Sequence, residues 1–307
     1  MSGLFLGIDT SNYTTSLSLF DGERIVANEK LPVKVKEGER GIRQSDAVFC
    51  HTKNLPILFE RIGRRELSAI GVSTRPRDVE GSYMPCFLTG YAAAKALSSV
   101  CGIPLYELSH QQGHVMAALY SAGRTDLWNE RFIAFHVSGG TTELLLVENG
   151  AIGKIGGTID LNAGQAIDRI GVRLGIPFPC GRELEKVAAP LADVNCISHV
   201  RGLECNLSGL ESKATKLIDD GEDRSIVAAF TIKSVLRTIE RLTENARETF
   251  GDLPVVYAGG VMSNRLIQNG LAKCGNVYFS EAEYSCDNAA GIAILAARAH
   301  DHNDHNA

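Results

Sequence analysis

The amino-acid sequence predicts an α/β protein made of two similar lobes, and two observations support this prediction. A pattern of three strands occurs twice, and its second copy lies 127 residues after the first. Each copy is followed by segments of helical period and by further apolar strands, which is typical of layered α/β folds. A chain of 307 residues is long enough for two such lobes.

The two copies of the three-strand pattern match at identical residues, and the match needs no gap. Alternating hydrophobic residues are common to all strand pairs, but they do not account for serine and threonine at matching turn positions. We therefore interpret the repeat as a duplication. The identities are Phe5 with Phe132, Ser11 with Ser138, Thr14 with Thr141, Thr15 with Thr142, Leu17 with Leu144, Leu19 with Leu146 and Ile25 with Ile152.

The other elements follow from hydrophobic periodicity and from turn residues. Strands are predicted at 69–73 and 255–258, because each is a short apolar run that leads into a turn. The predicted domains are 1–128 and 129–307, with a final helix at about 287–299 that packs back on the first lobe. Helices are predicted at 45–62, 87–100, 163–174, 224–250 and 289–299, of which the last is rich in small residues.

The composition is that of an ordinary globular protein, with 44% hydrophobic residues and a net charge of −5. This acidic balance argues against binding nucleic acid with the whole surface, but it leaves room for a local basic patch. The eight cysteines form no C-x-x-C pair, and no apolar run is long enough for a membrane helix. No signal peptide is recognisable, so we predict a cytoplasmic protein with free thiols. The polar residues 300–305 are predicted to be a frayed end.

Two histidines, His110 and His114, lie four residues apart in a segment of helical period. Residues at this spacing share one helix face, so both imidazoles can bind the same metal ion. A metal site needs at least one further ligand, for which Asp287 is the candidate and Cys286 a softer alternative. On this stretch alone, a pair of surface or capping histidines is the favoured alternative, and Asp287 is also a candidate N-cap.

Glycine pairs follow two of the predicted strands, in residues 137–142 and 258–264. Glycine lets backbone N–H groups approach a phosphate, and a helix N-terminus favours an anion. A nucleotide between the lobes would require such loops in facing lobes, although Gly-Gly often serves only as a turn and the predicted bounds 129–307 place both loops in the second domain. Asp168 is either a ribose ligand or a solvated residue, and Gly181 lines the cleft or ends a turn. Asn264 is either an N-cap or a ligand of the nucleoside.

In their order along the chain, these motifs resemble those of the TsaD family, which makes threonylcarbamoyladenosine in tRNA. The resemblance covers nearly the whole chain, and the shared order and spacing make it specific although each motif is weak singly. The family patterns G-I-[ED]-T-S, H-x-E-G-H, V-S-G-G-x-T, D-x-A-G-E-A-x-D-K, Y-P-G-G, F-S-G-L-K, A-G-G-V-x-x-N-R and C-T-D-N-A-A correspond to residues 7–11, 110–114, 137–142, 161–169, 178–181, 207–211, 258–265 and 285–290.

The chain departs from the family patterns at five places, which indicates a divergent paralogue. These departures bear on tRNA handling and on catalytic efficiency, and they leave the histidine pair and Asp287 matched. They are residues 75–81 in place of a proline-glycine loop, Gln112 in place of glutamate, Thr141 in place of histidine or asparagine, Leu161 in place of an acidic residue and Glu211 in place of lysine.

The resemblance implies the actin/hexokinase/Hsp70-like (ASKHA) fold, with two RNase H-like lobes around a nucleotide and metal cleft. It implies that His110, His114 and Asp287 hold one divalent metal ion, iron or zinc. The implied reaction moves the threonylcarbamoyl group of threonylcarbamoyl-AMP to the N6 amine of a tRNA adenosine beside the anticodon. No general base is assigned, and His136 is also explained as a structural strand residue. The residues implied to contact the adenine nucleotide are His136, Val137, Ser138, Gly139, Gly140, Asp168, Gly181 and Asn264.

The resemblance also implies tRNA and two protein subunits, TsaB-like and TsaE-like, as partners. The alternatives are a nucleotide-binding scaffold or regulatory paralogue, a small-molecule carbamoyltransferase of the same fold, and a kinase. The kinase is disfavoured because no lysine or arginine lies near Asp9, and a peptidase because the histidine pair lacks the glutamate of H-E-x-x-H. The candidates for a basic patch that contacts tRNA are Arg61, Arg64, Arg65, Arg75 and Arg77, although a solvated helix end accounts equally for the first three.

Overall fold

Strands and helices alternate along the computed structural model, which describes residues 3–11, 13–33 and 42–304. The chain divides into two compact units, Met1–Thr125 with Cys286–Ala307, and Asp126–Ser285. The domains 1–128 and 129–307 stay a prediction, because two compact units do not show that either part folds on its own. Up to residue 121 the elements are β1 (Phe5–Ser11), β2 (Thr14–Phe20), β3 (Ile25–Pro32), α1 (Gln44–Ile62), β4 (Ala69–Arg75), α2 (Phe87–Cys101), β5 (Leu105–Ser109) and α3 (His110–Ser121).

The second unit contains the next group of elements, and the last helix returns to the first unit. In chain order these elements are β6 (Arg131–Val137), β7 (Thr142–Glu148), β8 (Ala151–Thr158), α4 (Ala163–Arg173), α5 (Gly181–Val187), β9 (His199–Arg201), β10 (Glu204–Asn206), α6 (Ser208–Asp219), α7 (Arg224–Phe250), β11 (Val255–Ala258), α8 (Arg265–Leu271), β12 (Val277–Phe279), α9 (Ala282–Ser285) and α10 (Ala290–Asp304).

The first unit is built on a five-stranded sheet with the order β3-β2-β1-β4-β5. The strands β1, β2 and β3 are antiparallel neighbours, whereas β4 and β5 run parallel to β1. Every residue of β1 is buried, as is typical of a central strand covered on both faces. Parallel strands end at the same edge of a sheet, so the residues that end β1, β4 and β5 lie close together.

The second unit repeats this arrangement in a sheet with the order β12-β11-β6-β7-β8-β10-β9. Strands β8, β7, β6, β11 and β12 have the same order and directions as β3, β2, β1, β4 and β5. The predicted repeat is therefore confirmed. The hairpin of β9 and β10 extends this sheet beyond β8, and its strands of three residues each are too short for periodicity to predict.

The longest helix, α7, has the predicted bounds because the sequence marks both of its ends. At the start, the Asp223 side chain accepts a hydrogen bond of 2.8 Å from the Ser225 amide. At the end, Gly251 has a φ of 95° and donates its amide to the Arg247 oxygen at 2.9 Å. The buried face of α7 forms the core of the second unit together with α4, α6 and the inner face of the sheet.

Helix α10 packs directly on the first sheet and on α3, and glycine makes this approach possible. A Cβ atom on Gly7 of β1 would lie 2.3 Å from the Ala289 oxygen, and one on Gly71 of β4 would lie 2.7 Å from the Ile292 oxygen. On α10 itself, a Cβ on Gly291 would lie 1.9 Å from the Gly113 oxygen of α3. Side chains larger than hydrogen at these contacts would push α10 away from the sheet and from α3.

The small-residue helix at the end of the chain is confirmed, but it is longer than predicted. It continues to Asp304, so the prediction of a frayed end is wrong for residues 300–304. His300 packs against Phe5 with 5.7 Å between the ring centroids, and its Nδ1 lies 3.4 Å from the Tyr106 hydroxyl. These contacts fix the last turns on the first sheet. His305 lies outside the described residues.

Two expectations from composition concern thiols and membranes. All eight cysteines are free thiols. Within residues 3–11, 13–33 and 42–304, no helix is long and apolar enough to cross a membrane. The cytoplasmic location stays a prediction.

Candidate functional site

Two histidines and an aspartate come together in the first unit, near the starts of α3 and α10. The ligand atoms of His110, His114 and Asp287 lie within 4.8 Å of one another. The Nε2 atom of His114 is 2.9 Å from His110 Nε2 and 3.2 Å from Asp287 Oδ1, and His110 Nε2 is 3.6 Å from the same oxygen. Ligand atoms around a tetrahedral zinc ion stand roughly 3.3 Å apart, so these three distances fit a metal ion.

The carboxylate of Asp287 faces the histidines, and a neighbouring residue stabilises the start of α10. The Asn288 Oδ1 atom accepts a hydrogen bond of 3.0 Å from the Ala290 amide. The interpretation of Asp287 as an N-cap is therefore wrong. Cys286, the softer alternative ligand, is exposed and does not belong to the group of possible metal ligands found among the described residues.

A second carboxylate, that of Asp9, holds His110 from the opposite side of the ring. Asp9 is fully buried near the end of β1, and its Oδ1 lies 3.0 Å from His110 Nδ1. The same oxygen accepts a hydrogen bond from the Ser73 hydroxyl of β4. A partner at Nδ1 fixes the ring and turns Nε2 toward His114 and Asp287, as outer partners of metal-binding histidines do.

The carboxylates on both sides of His110 favour its protonated form. Burial alone would lower the pKa of His110, but the charge of Asp9 and a hydrogen bond to Asp287 raise it to about 10. Burial also opposes ionisation of Asp287, whose hydrogen bonds to His110 and His114 nevertheless hold its pKa well below the usual value. A proton and a metal ion therefore compete for the same place.

We expect the binding of a divalent cation at this cluster to release about one proton, because a metal-bound imidazole must be neutral. The affinity should rise by up to about tenfold per pH unit above neutrality, since the pKa of His110 lies far above that range. Calorimetric titration with Co²⁺ in buffers of different ionisation enthalpy measures the released proton. A binding enthalpy that is the same in all buffers would contradict a protonated His110.

The two glycine loops both belong to the second unit, where they follow the parallel neighbours β6 and β11. The arrangement with one loop in each lobe is therefore wrong, because β6 and β11 are parallel neighbours and end side by side. Gly259 has a φ of 99°, and a Cβ on it would lie 2.3 Å from the Val137 oxygen. Glycine is needed there both for this backbone conformation and for the close approach of the loops.

The loop Ser138–Gly140 leaves one of its three amides without an acceptor in the described part of the chain. The Ser138 amide donates to the Thr141 oxygen at 2.7 Å, and the Gly140 amide donates to Ser138 Oγ at 3.3 Å. The Gly139 amide is the one that remains. A Cβ on Gly139 or Gly140 would meet nothing within 4 Å, so open space borders the loop. An anion can therefore approach the Gly139 amide.

The other residues predicted to contact a nucleotide also make structural contacts. Asp168 Oδ1 accepts a hydrogen bond of 2.8 Å from the Cys180 amide, and burial raises the pKa of this carboxyl. Gly181 is the first residue of α5. Asn264 Oδ1 caps α8 by accepting from the Ile267 amide at 3.0 Å, as its structural interpretation predicts. His136 lies half-buried on β6.

Gly164 at the start of α4 holds the Ser138–Gly140 loop in place. Its amide donates to the Ser138 oxygen at 3.2 Å, and a Cβ on it would lie 2.6 Å from the Gly139 nitrogen. We expect Gly164→Ala to displace the loop, to lower the free energy of unfolding by about 2 kcal/mol and to weaken AMP binding about tenfold. Urea unfolding and AMP titration measure the two effects.

The matched control for that substitution is Gly153→Ala on β8. There the nearest atom to an added Cβ is the Leu146 oxygen at 3.9 Å, which is ordinary contact. We expect this variant to keep both its stability and its affinity for AMP. Equal losses in the two variants would show that the contact with Gly139 is unimportant.

The five arginines predicted as a tRNA patch do not form one patch. Arg61, Arg64 and Arg65 precede β4, whereas Arg75 is its last residue and Arg77 follows it, and a strand of this length separates its ends by roughly 20 Å. Two of these arginines form ion pairs with carboxylates, which offset their positive charge. Arg61 pairs with Glu29 at 3.3 Å, and Arg75 pairs with Asp78 at 2.5 Å.

Solved structures of low sequence identity share the fold over nearly the whole chain. Full-length HypF in its phosphate- and nucleotide-bound form has a TM-score of 0.63 and 13% identity, covering 98% of this chain and 47% of HypF. Component A of (R)-2-hydroxyglutaryl-CoA dehydratase from Acidaminococcus fermentans has a TM-score of 0.58 and 18% identity, covering 98% of this chain and 100% of that one. A ROK hexokinase from Thermus thermophilus has a TM-score of 0.51 and 16% identity, covering 98% of this chain and 99% of that one. These likenesses confirm the predicted actin/hexokinase/Hsp70-like fold.

Sequence comparison identifies the family. The family model described as "TsaD: tRNA N6-adenosine threonylcarbamoyltransferase" matches residues 25–294. A tRNA N6-adenosine threonylcarbamoyltransferase from Thermus thermophilus is 31% identical, over 96% of this chain and 92% of that protein. A protein of the same name from Methanopyrus kandleri is 28% identical, over 92% of this chain and 83% of that protein. The chain therefore belongs to the TsaD family and is an enzyme of the transferase class.

Proposed function

We propose that the protein transfers the threonylcarbamoyl group of threonylcarbamoyl-AMP to the N6 amine of a tRNA adenosine beside the anticodon. The observation that carries this proposal is the convergence of His110, His114 and Asp287, with Asp9 behind His110. In the reaction, the amine nitrogen bonds to the carbamoyl carbon, and the bond from that carbon to the phosphate oxygen of AMP breaks. AMP leaves with the bonding electrons, and the amine loses one proton.

The histidine pair and Asp287 would hold one divalent metal ion, iron or zinc, since imidazole and carboxylate suit both. Three protein ligands leave positions open for substrate oxygens, and a bound ion supplies Lewis acidity at the carbamoyl group. Asp9 contributes by keeping His110 oriented. Its contact with Nδ1 leaves Nε2 as the atom directed to the ion.

The second unit would bind the adenylate through the loop Ser138–Gly140 and the residues around it. The Gly139 amide and the N-terminus of α4 favour the phosphate. Asp168 keeps one carboxylate oxygen for the ribose hydroxyls while the other accepts from the Cys180 amide. Asn264 keeps its amide nitrogen for the nucleoside, since Oδ1 caps α8. Gly181, His136 and Val137 complete the proposed contacts.

For the nucleic acid, we infer contact with Arg64 and Arg65, which are exposed and make no ion pair with any described residue.

A related protein from Thermoplasma acidophilum is named a probable bifunctional tRNA threonylcarbamoyladenosine biosynthesis protein, 27% identical over 95% of this chain and 55% of that protein. We further propose that TsaB-like and TsaE-like subunits assist this chain in the cytoplasm.

A transfer assay tests the proposal. The protein is mixed with threonylcarbamoyl-AMP labelled in the threonyl group and with unmodified tRNA, both alone and with TsaB-like and TsaE-like subunits. We expect label in the tRNA, and none when the target adenosine is replaced by guanosine. Absence of label with all subunits present would overturn the proposal, and a retained nucleotide would then favour the scaffold alternative.

A further inference from the structure

The segment that follows β4 contacts the first turn of α3, which carries the proposed metal ligands. Arg75 is aligned with Ser109 in the ladder between β4 and β5, and Ser109 precedes His110 in the chain. One residue further on, the Pro76 oxygen accepts a hydrogen bond of 3.0 Å from the Gln111 amide. Two of the departures from the family patterns, residues 75–81 and Gln112, therefore meet in space.

Gln112 uses both ends of its side-chain amide at this contact. Its Oε1 atom accepts from the Ser109 amide at 2.8 Å and completes a capping box at the start of α3. Its Nε2 atom lies 3.4 Å from Asp78 Oδ2. The other oxygen of Asp78 accepts from Arg75 Nη2 at 2.5 Å. A continuous chain of polar contacts thus runs from β4 through Asp78 to the residue before His110.

The position of Asp78 explains why residue 112 carries an amide. The N3 residue of a capping box, three residues after the N-cap, is ordinarily glutamate or glutamine, because both can accept from the N-cap amide. A glutamate at 112 would keep this contact with Ser109, but it would bring a second carboxylate to the place where Nε2 now meets Asp78. Two carboxylates at such a distance repel each other, even when they are partly exposed.

We propose that Arg75, Asp78 and Gln112 form one brace that positions the first turn of α3, and that Asp78 makes an amide at 112 necessary. Gln112 is a positioning residue that acts through the helix backbone on His110. The inference rests on the proposed metal site for its functional meaning. The coupling between positions 78 and 112 is independent of metal and of transfer.

The first test measures that coupling in the metal-free protein by urea unfolding of a double-mutant cycle. We expect Gln112→Glu to raise the unfolding equilibrium constant roughly threefold to tenfold, and to have little effect when Asp78→Asn is also present. Gln165→Glu is the matched control, because Gln165 holds the same capping-box position in α4. This control should be neutral or slightly stabilising. Additive effects at 78 and 112 would overturn the brace.

The second test asks whether the brace acts on the metal ligands, with Co²⁺ as the probe. Removing a negative charge ordinarily weakens the binding of a nearby cation, so Asp78→Asn should lower Co²⁺ affinity about threefold in the wild-type background. In the Gln112→Glu background the same substitution relieves the repulsion, and we expect affinity to rise. An effect of the same sign in both backgrounds would overturn the positioning role. Absence of Co²⁺ binding in every variant would instead refute the proposed metal site, while the unfolding cycle still tests the brace.

Discussion

Replacement of His110 by alanine is expected to abolish binding of the metal ion and, with it, transfer of the threonylcarbamoyl group. Loss of an outer partner of a ligand costs about 10–100-fold in metal affinity, and loss of the ligand itself should cost more. His110 is also the residue that joins Asp9 to the other two ligands. Elemental analysis after dialysis should give about one metal ion per wild-type chain and less than about 0.1 per variant chain.

His199→Ala is the matched control, because His199 lies exposed on β9 of the second unit. The same substitution there should leave metal content unchanged. Circular dichroism of both variants shows whether either has lost its fold. Unchanged metal content in a folded His110→Ala protein would remove the metal hypothesis, whatever the transfer assay gives.

Gly291→Ala is expected to destabilise the first unit and to separate Asp287 from the histidine pair. The added Cβ would lie 1.9 Å from the Gly113 oxygen and 2.8 Å from the Ala117 nitrogen, so α10 must move away from α3. We expect a loss of about 3 kcal/mol in the free energy of unfolding. Since α10 begins three residues after Asp287, Co²⁺ affinity should fall together with stability.

The sign of the change in the free energy of unfolding distinguishes the two possibilities. Alanine in place of glycine inside a helix ordinarily stabilises the helix by about 0.5–1 kcal/mol. A stabilised Gly291→Ala protein would therefore show that α3 and α10 do not touch as described. Denaturant unfolding gives the sign. Saturating Co²⁺ should recover part of the lost stability if the three ligands still converge, since binding to the folded state stabilises it.

The sequence predicted the two sheets because duplication left matching residues at matching turns, and it predicted α7 because apolar residues recur there at helical period. The hairpin of β9 and β10 was missed because pairing with β8 stabilises strands too short to show alternation. The last turns of α10 were missed because the polar residues after 299 have no periodicity. Contacts of His300 with Phe5 and Tyr106, which are distant in the chain, stabilise those turns.

At the site, the sequence indicated the histidine pair and Asp287 but not their geometry. Asp9 was named only within a motif and in the argument against a kinase, although an aspartate near the carboxyl end of a buried strand is itself a signal of a functional site. Its partnership with His110 depends on the parallel pairing of β1 with β4 and of β4 with β5. The positions of the glycine loops were missed for the same reason, namely that the sequence does not show which strands pair. Only the strand order shows that β6 and β11 are neighbours.

Helix α10 belongs to the first unit, although the whole second unit lies between it and α3 in the chain. During translation, β1 and β4 leave the ribosome long before the helix that covers Gly7 and Gly71. Contacts between such distant segments close large loops and form slowly. The part of the protein that is made first is thus completed last, and a nascent chain has all three ligands only after residue 287 has been added.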